Sequence, residues 1–255
     1  MRSSPSFKAC RLGRMTGGPR GRCRLPMAMA ARSLEQVQES SVKPQLKRAD
    51  VARRLVVMMK EPRAGRVKTR LARGAGVVRA TWFYRQAGAA LVRRLAADRR
   101  WQTSLAVAPD PAIATRMLPK GVTRRAQGSG DLGQRLQRVF ARTSRGPVVI
   151  IGSDCPDVTT ADIACAFRAL GRADMVLGPA GDGGYWLIGA RRTPKVIDAF
   201  PGVRWSSATT LADTLVNLGG HEVELLRRLD DVDEAGDLPR VANSFARRVP
   251  PTRQR

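Results

Sequence analysis

Histidine is nearly absent from this 255-residue chain, which has only His221. No Ser-His-Asp triad finds a nearby partner set, and a two-histidine zinc site is impossible. Any acid–base or metal chemistry therefore falls to carboxylates. Cysteine is scarce as well: Cys10, Cys23, Cys155 and Cys165 match neither the Cys-x-x-Cys spacing of a zinc site nor a disulfide framework. Cys155 and Cys165 read as reduced thiols of a cytoplasmic protein. No apolar run approaches the roughly 20 residues a membrane helix needs, so no membrane span is expected and the chain reads as soluble. Acidic residues are few, 21 against 46 Lys and Arg. Such a field attracts polyanions but is silent about fold. It suits nucleic acid, anionic lipid or a nucleotide substrate. Nucleic acid is not expected as the main partner, because neither an aromatic stacking platform nor a finger motif accompanies the charge.

What is present is an alternation of apolar runs and helical patterns. Residues 1–50 are rich in Arg, Ser, Gly and Pro without sustained periodicity, and read as a basic, disordered extension. Residues 246–255 form a basic tail, leaving 51–245 as a single domain. Within it, Leu55–Met59 is a short buried strand, followed after a polar loop by a helix over Val77–Ala97. Trp101–Val107 is a second strand and Asp110–Met117 a short helix. Asp131 caps a helix reaching Thr143, and Pro147–Ile151 is a third strand. Thr159 with Asp162 forms a capping box for a helix to Leu170. Met175–Leu177 and Tyr185–Ile188 are strands, Ser206 or Ser207 opens a helix to Leu218, and Glu222–Leu226 closes the pattern. Strands alternating with helices imply an α/β, three-layer architecture with a mostly parallel central sheet. In such sheets ligands bind beyond the carboxyl ends of the strands, and the glycine- and aspartate-rich loops all fall there.

Three loops carry the chemistry. After the first strand comes Lys60-Glu61-Pro62-Arg63-Ala64-Gly65-Arg66-Val67-Lys68-Thr69-Arg70-Leu71. It is not a phosphate-binding P-loop, since Pro62 and Val67 stand where that motif needs glycine. Several cations beside one glycine, opening into a helix, still suit a diphosphate. Lys60, Pro62, Arg63, Gly65, Lys68, Thr69 and Arg70 are its candidate phosphate-binding residues. The second loop, Gly152-Ser153-Asp154-Cys155-Pro156-Asp157, places an Asp-x-x-Asp pair at a strand end. Hard oxygen ligands of this kind suit Mg²⁺ or Mn²⁺ bridging to substrate phosphates, although Asp157 can instead cap the following turn. One member of Asp230, Asp231 and Asp233 can complete a metal site. The third loop, Gly178-Pro179-Ala180-Gly181-Asp182-Gly183-Gly184-Tyr185, has two open readings: a binding loop close to a ligand, or a tight hairpin in which Asp182 bonds its own turn. A further glycine-rich entry to a helix, Gln127 to Leu136, includes Gly133, which with Gly183, Gly184 and Tyr185 is a candidate substrate-binding residue.

In order, the Lys-x-Pro…Gly-x-x-Lys-Thr-Arg-Leu loop, Leu-Gly-x-Arg-Leu, Gly-Ser-Asp-Cys-Pro-Asp, Gly-Pro-Ala-x-Asp-Gly-Gly-Tyr and Asp-Val-Asp-x-x-x-Asp-Leu series resembles the DUF2064 family over about residues 54–240. That family consists of glycosyltransferase-like proteins of the GT-A (nucleotide-diphospho-sugar transferase) fold, some associated with arsenosugar biosynthesis, and is related to the 2-phospholactate guanylyltransferases. The resemblance implies that Lys60, Arg63, Lys68 and Arg70 hold nucleotide phosphates. Asp154 stands where GT-A enzymes keep their metal-binding aspartate. Asp182, Gly183 and Gly184 line the sugar or acceptor side, and Asp233 matches a late aspartate that joins the metal shell. The strict Asp-x-Asp of many GT-A glycosyltransferases is not present at Asp154, where the second acid comes one position late.

Three function classes follow. The first is metal-dependent glycosyl transfer from a nucleotide sugar to a small-molecule acceptor, with Asp182 as general base and Lys68 in the catalytic machinery. The second is nucleotidyl transfer of the 2-phospholactate guanylyltransferase kind, from a nucleoside triphosphate with release of pyrophosphate. The third is a non-catalytic nucleic-acid binder, for which Asp154 is dispensable.

Overall fold

The computed structural model describes residues 52–192, 197–239 and 241, all within one compact unit, Lys47–Arg255. The expectations for residues 1–50 and 246–255 lie outside the described residues. Seven strands form one sheet: β1 (Arg54–Lys60), β2 (Gln102–Ala108), β3 (Thr123–Ala126), β4 (Val148–Gly152), β5 (Met175–Pro179), β6 (Tyr185–Ala190) and β7 (Val223–Leu225). Their order is β3-β2-β1-β4-β6-β5-β7. β6 runs antiparallel to both β4 and β5, while the remaining neighbours pair in parallel.

Alternation along the strands decides which helix covers which face. Leu55, Val57 and Met59 of β1, with Val149 and Ile151 of β4, meet helices α2 (Val77–Ala96) and α4 (Thr160–Ala169). Helix α2 presents Ala80, Tyr84, Ala87, Leu91 and Leu95, all buried and spaced by three or four residues. On the other face Val56, Val148, Ile150 and Ile188 pack against Leu136, Val139 and Phe140 of α3 (Leu132–Arg142) and beside Leu211 and Leu215 of α5 (Thr210–Asn217). The result is the expected three-layer α/β fold. No helix among the described residues is long and apolar enough to cross a membrane.

The Asp131 cap and the Thr159 capping box read from the sequence are both formed, and the Asp131 cap is itself a full box with Gln134. Asp131 accepts from the Gln134 N–H at 2.8 Å, and Thr159 and Asp162 bond reciprocally. Four local expectations differ. Thr69–Ala75 is a helix of its own, α1, and Gly76 at φ 83° separates it from α2, a conformation glycine adopts without penalty. Thr123–Ala126 is an edge strand whose Thr-Arg-Arg-Ala sequence carries no apolar alternation to reveal it. The helix expected to Met117 is a single 3₁₀ turn, Asp110–Ala114. Helix α5 starts at Thr210 behind Thr209, because Ser206 takes a left-handed φ of 56° that cannot continue into a helix.

Candidate functional site

A cleft of about 560 Å³ opens at the carboxyl ends of β1 and β4, where Lys60, Gly152, Ser153 and Asp154 line it. Lys68, Thr69 and Arg66 come from the loop after β1, Asp131 and Arg135 from the start of α3, and Asp182, Gly184 and Tyr185 from the β5–β6 turn. Trp205, Ser206 and Ser207 form the far wall, and Asp231 enters from the segment after β7.

The centre of the site is an ammonium among carboxylates. Lys68 is only 5% exposed, with Nζ 2.8 Å from Asp233 Oδ1 and 3.6 Å from Asp154 Oδ1. Burial lowers the affinity of this amine for its proton, yet Asp154, Asp233 and Asp231 together raise its pKa above the ordinary lysine value. Asp231 is pushed up to about 7, by burial first and then by Asp154, Asp233 and Asp182, with Lys68 pulling the other way. The four aspartates thus share one electrostatic neighbourhood. The backbone at Lys68 is left-handed, φ 48° and ψ 48°, immediately before α1. A non-glycine residue held there costs on the order of 1–2 kcal/mol, and it turns the side chain inward to the acids. Ser206 is the second non-glycine left-handed residue in the cleft wall, so backbone strain gathers around the cleft.

Tyr84 positions the two strand ends, a role that nothing in the sequence motifs signals. Its hydroxyl accepts the Lys60 N–H at 2.9 Å and lies 3.0 Å from Ser153 Oγ and 3.2 Å from the Lys60 carbonyl. Burial, and then the charge of Asp154, raises its pKa. The helical spacing of α2 explains why a tyrosine sits on this buried face, but its reach to the cleft depends on how α2 docks. Gln127, also buried, donates from Nε2 to the Ala106 carbonyl at 2.8 Å, tying β2 to the loop that opens α3.

The residues singled out in the sequence separate into two groups. Lys60, Lys68, Thr69, Asp154, Asp182, Gly184 and Tyr185 line the cleft, and Asp233 joins them through Lys68. Pro62, Arg63, Gly65, Arg70, Gly133, Gly183 and Asp157 are not in its lining. Arg63 pairs with Glu61, and Arg70 lies 3.6 Å from Asp233 Oδ2. Arg66 faces the cleft in place of Arg63. Asp157 acts on Arg227. Gly133 is buried beneath Trp205; a Cβ there would stand 2.7 Å from the indole ring. Gly183, at φ 85°, lies against Ala208, whose carbonyl oxygen would be 2.1 Å from an added Cβ. It holds the Trp205–Ser207 wall against the β5–β6 turn, a bond from Leu211 N–H to its carbonyl helping at 2.9 Å. Asp182 does bond its own turn, accepting the Gly184 N–H at 2.9 Å, and it also lines the cleft.

A divalent cation would have to be held by the carboxylates around Lys68. Asp154 Oδ1 is buried and accepts no hydrogen bond. No three His, Cys, Asp or Glu side chains gather at coordinating distance among the described residues. Mg²⁺ commonly uses one or two carboxylates and completes its shell with waters and substrate phosphates. A carboxylate oxygen left without a donor beside a second carboxylate fits that mode.

Known proteins of similar structure define the class as the nucleotide-diphospho-sugar transferase fold. The crystal structure of a protein named as a candidate nucleotide-diphospho-sugar transferase from Desulfovibrio desulfuricans G20 is 30% identical, with a TM-score of 0.70 over 77% of this chain and 90% of that one. The family model DUF2064, described as an uncharacterized protein conserved in bacteria, matches residues 91–207, and the chain belongs to this family. Two nucleotidyltransferases share the fold at low identity. The 4-diphosphocytidyl-2C-methyl-D-erythritol synthase of Anaerococcus prevotii DSM 20548 is 11% identical with a TM-score of 0.53, over 78% of this chain and 99% of that one. The inositol-1-phosphate CTP transferase of T. maritima is 13% identical with a TM-score of 0.50, over 77% and 96%. Among curated proteins there is no match.

Proposed function

We propose that the protein transfers a sugar from a nucleotide-sugar donor to a small-molecule acceptor, with a divalent cation held by Asp154 and Asp233. The observation that carries this reading is the Lys68 ammonium set between those two carboxylates in the floor of the cleft. A bound Mg²⁺ or Mn²⁺ would supply Lewis-acid neutralisation of the diphosphate. Lys68, Arg66 and Lys60 bind and orient the phosphates, and Lys68, already buried and paired, is preorganised to stabilise charge on the departing diphosphate. Tyr84 and Ser153 hold the two strand ends that present Lys60 and Asp154. On the side of the β5–β6 turn, Asp182 serves as the base that takes a proton from an acceptor hydroxyl. Tyr185 and Trp205, edge to face at 6.5 Å between ring centroids, give that side a rigid apolar wall. The similarity to the nucleotide-diphospho-sugar transferase relative supports this assignment.

A second reading, nucleotidyl transfer, is favoured by one feature: Lys60, Arg66 and Lys68 bring three cations to one part of the lining, enough for a triphosphate. Thermal melting of the whole protein separates the two. Specific ligands raise the midpoint by mass action. Glycosyl transfer requires a metal-dependent shift with a nucleoside diphosphate or a nucleotide sugar, followed by sugar turnover. A shift with triphosphate and metal alone, with pyrophosphate release, would replace it by the second reading. No shift with any nucleotide would overturn both.

A further inference from the structure

A second cavity, of about 140 Å³, lies on the α3 side of the sheet among the first residues of β1, β2 and β3. Its lining includes Arg54 of β1, Ser104 of β2, Thr123 and Arg125 of β3, and Arg138 and Arg142 of α3. Arg54 and Thr123 are the first residues of their strands, so the cavity faces away from the carboxyl ends that form the cleft. Parallel register sets Ser104 beside Thr123 and Ala106 beside Arg125, and alternation keeps these four on one sheet face. Toward β1 and β4 that same face is apolar, with Val56, Val148 and Ile150 under Leu136, Val139 and Phe140. Over the outer strands it turns to hydroxyls and guanidiniums.

The charge here is one-sided. No acidic side chain lines the cavity. Among the described residues Arg54, Arg125, Arg138 and Arg142 form no ion pair, whereas Arg172, Arg191, Arg204 and Arg227 each meet a carboxylate within 3.0 Å. Arg54 gives one N–H to the Ala52 carbonyl and Arg138 one to the Gln127 carbonyl. A guanidinium has five N–H donors, so most remain to be used. A fifth cation stands close by: Arg192, bonded to the Thr143 and Ser144 carbonyls, has a buried Nε without a hydrogen-bond partner. Burial and then the charge of Arg54 make it easier to deprotonate than an ordinary arginine. Like charges drawn together at a half-buried surface repel one another unless an anion is shared between them.

We propose that this cavity is a second anion site, distinct from the cleft, that takes a phosphate or pyrophosphate group. Planar guanidinium forks match phosphate oxygens two at a time, and the Ser104 and Thr123 hydroxyls add neutral donors. The volume is below the roughly 300–1,000 Å³ of a drug-sized ligand pocket, so it accommodates the anionic group itself and leaves any attached organic part in solvent.

The test is calorimetric titration of the full-length protein with orthophosphate, pyrophosphate and glycerol 3-phosphate at about 0.15 M salt, where long-range attraction is largely screened. Lys68→Met silences phosphate binding in the cleft and leaves the second site. Arg125→Ser/Arg142→Ser, both at exposed positions, is expected to weaken that remaining binding about tenfold or more, and Arg125→Lys/Arg142→Lys to restore part of it. Arg79→Ser/Arg93→Ser, which removes equal charge from exposed positions on α2, is expected to change it less than about twofold. Binding of the ester names a phosphorylated metabolite as the source, and binding of the inorganic anions alone names free phosphate or pyrophosphate. Equal loss in the serine pair on β3 and α3 and the pair on α2 would reduce the effect to net charge and overturn the site. So would a single-stranded oligonucleotide that depends on Arg125 and Arg142 while pyrophosphate does not. Should the double serine variant melt early, Arg142→Ser alone gives the same reading.

Discussion

Lys68 and Asp233 are 165 residues apart in sequence, and their side chains meet at 2.8 Å. This contact joins the loop after the first strand to the segment after the last one, across the mouth of the sheet. It also holds a buried positive charge in the cleft, where the proposed function puts the phosphates. Lys68→Met keeps the length of the side chain and removes the ammonium. Transfer is expected to fall by about 10²–10³, the usual loss when one preorganised electrostatic group is removed. Steady-state turnover, with melting to confirm the fold, checks this. Unchanged turnover would remove Lys68 from the machinery.

Asp154→Asn tests the metal assignment separately. The carboxylate oxygen without a hydrogen bond becomes a neutral amide, which is a poor ligand for a hard cation. The protein is expected to melt near the wild-type midpoint without ligand and to lose the extra stabilisation that nucleotide sugar and Mn²⁺ provide together. Retention of a metal-dependent shift would move the cation elsewhere.

Tyr84→Phe deletes the hydroxyl that meets Lys60 and Ser153. The Lys60 N–H is left without its acceptor in a partly buried setting, at a cost of about 1–3 kcal/mol. Both denaturant stability and nucleotide affinity are expected to fall, because the same hydroxyl fixes both strand ends. If stability drops while affinity is unchanged, Tyr84 supports the fold without positioning the site.

At Gly183 the prediction concerns backbone. Alanine there meets the Ala208 carbonyl oxygen and must hold φ 85°, two faults that compound. Gly183→Ala is expected to lose about 2 kcal/mol or more, measurable by urea unfolding. A neutral result would show that the wall can shift away from the β5–β6 turn.

Away from the cleft, Arg227 grips Asp162 through Nε at 2.6 Å and Nη2 at 2.7 Å. Burial favours the neutral acid, but Arg227 and Thr159 outweigh it and hold the carboxyl below its ordinary value. A depressed folded-state pKa stabilises above the unfolded value, about 3.9, and that contribution is lost as pH falls through the folded value. Asp162→Asn is therefore expected to cost about 1–2 kcal/mol near pH 7, with the gap to wild type closing below about pH 4. Urea melts at pH 7, 5 and 3 check the trend; a gap as wide at pH 3 as at pH 7 would contradict it.

Local chemistry determined a great deal of this protein in advance. The runs Leu55–Met59 and Pro147–Ile151 have the composition of buried strands, α2 repeats its apolar residues at helical spacing, and Asp131 and Thr159 carry their caps within three residues. Each of these signals concerns neighbours in sequence, so burial of one face is enough to enforce it. Parallel strands also place the loops after β1 and β4 at one end, which brings Lys60, Lys68 and Asp154 to a common cleft. Only the tertiary structure decided which side chains turn inward. Asp154 faces Lys68 while Asp157, three residues later, acts on Arg227. Arg66 lines the cleft while Arg63 folds back on Glu61. The left-handed turn at Lys68 and the reach of Tyr84 to Lys60 follow from packing between distant segments. A residue's direction at a loop depends on the backbone angles that those contacts impose, and sequence spacing carries no record of them.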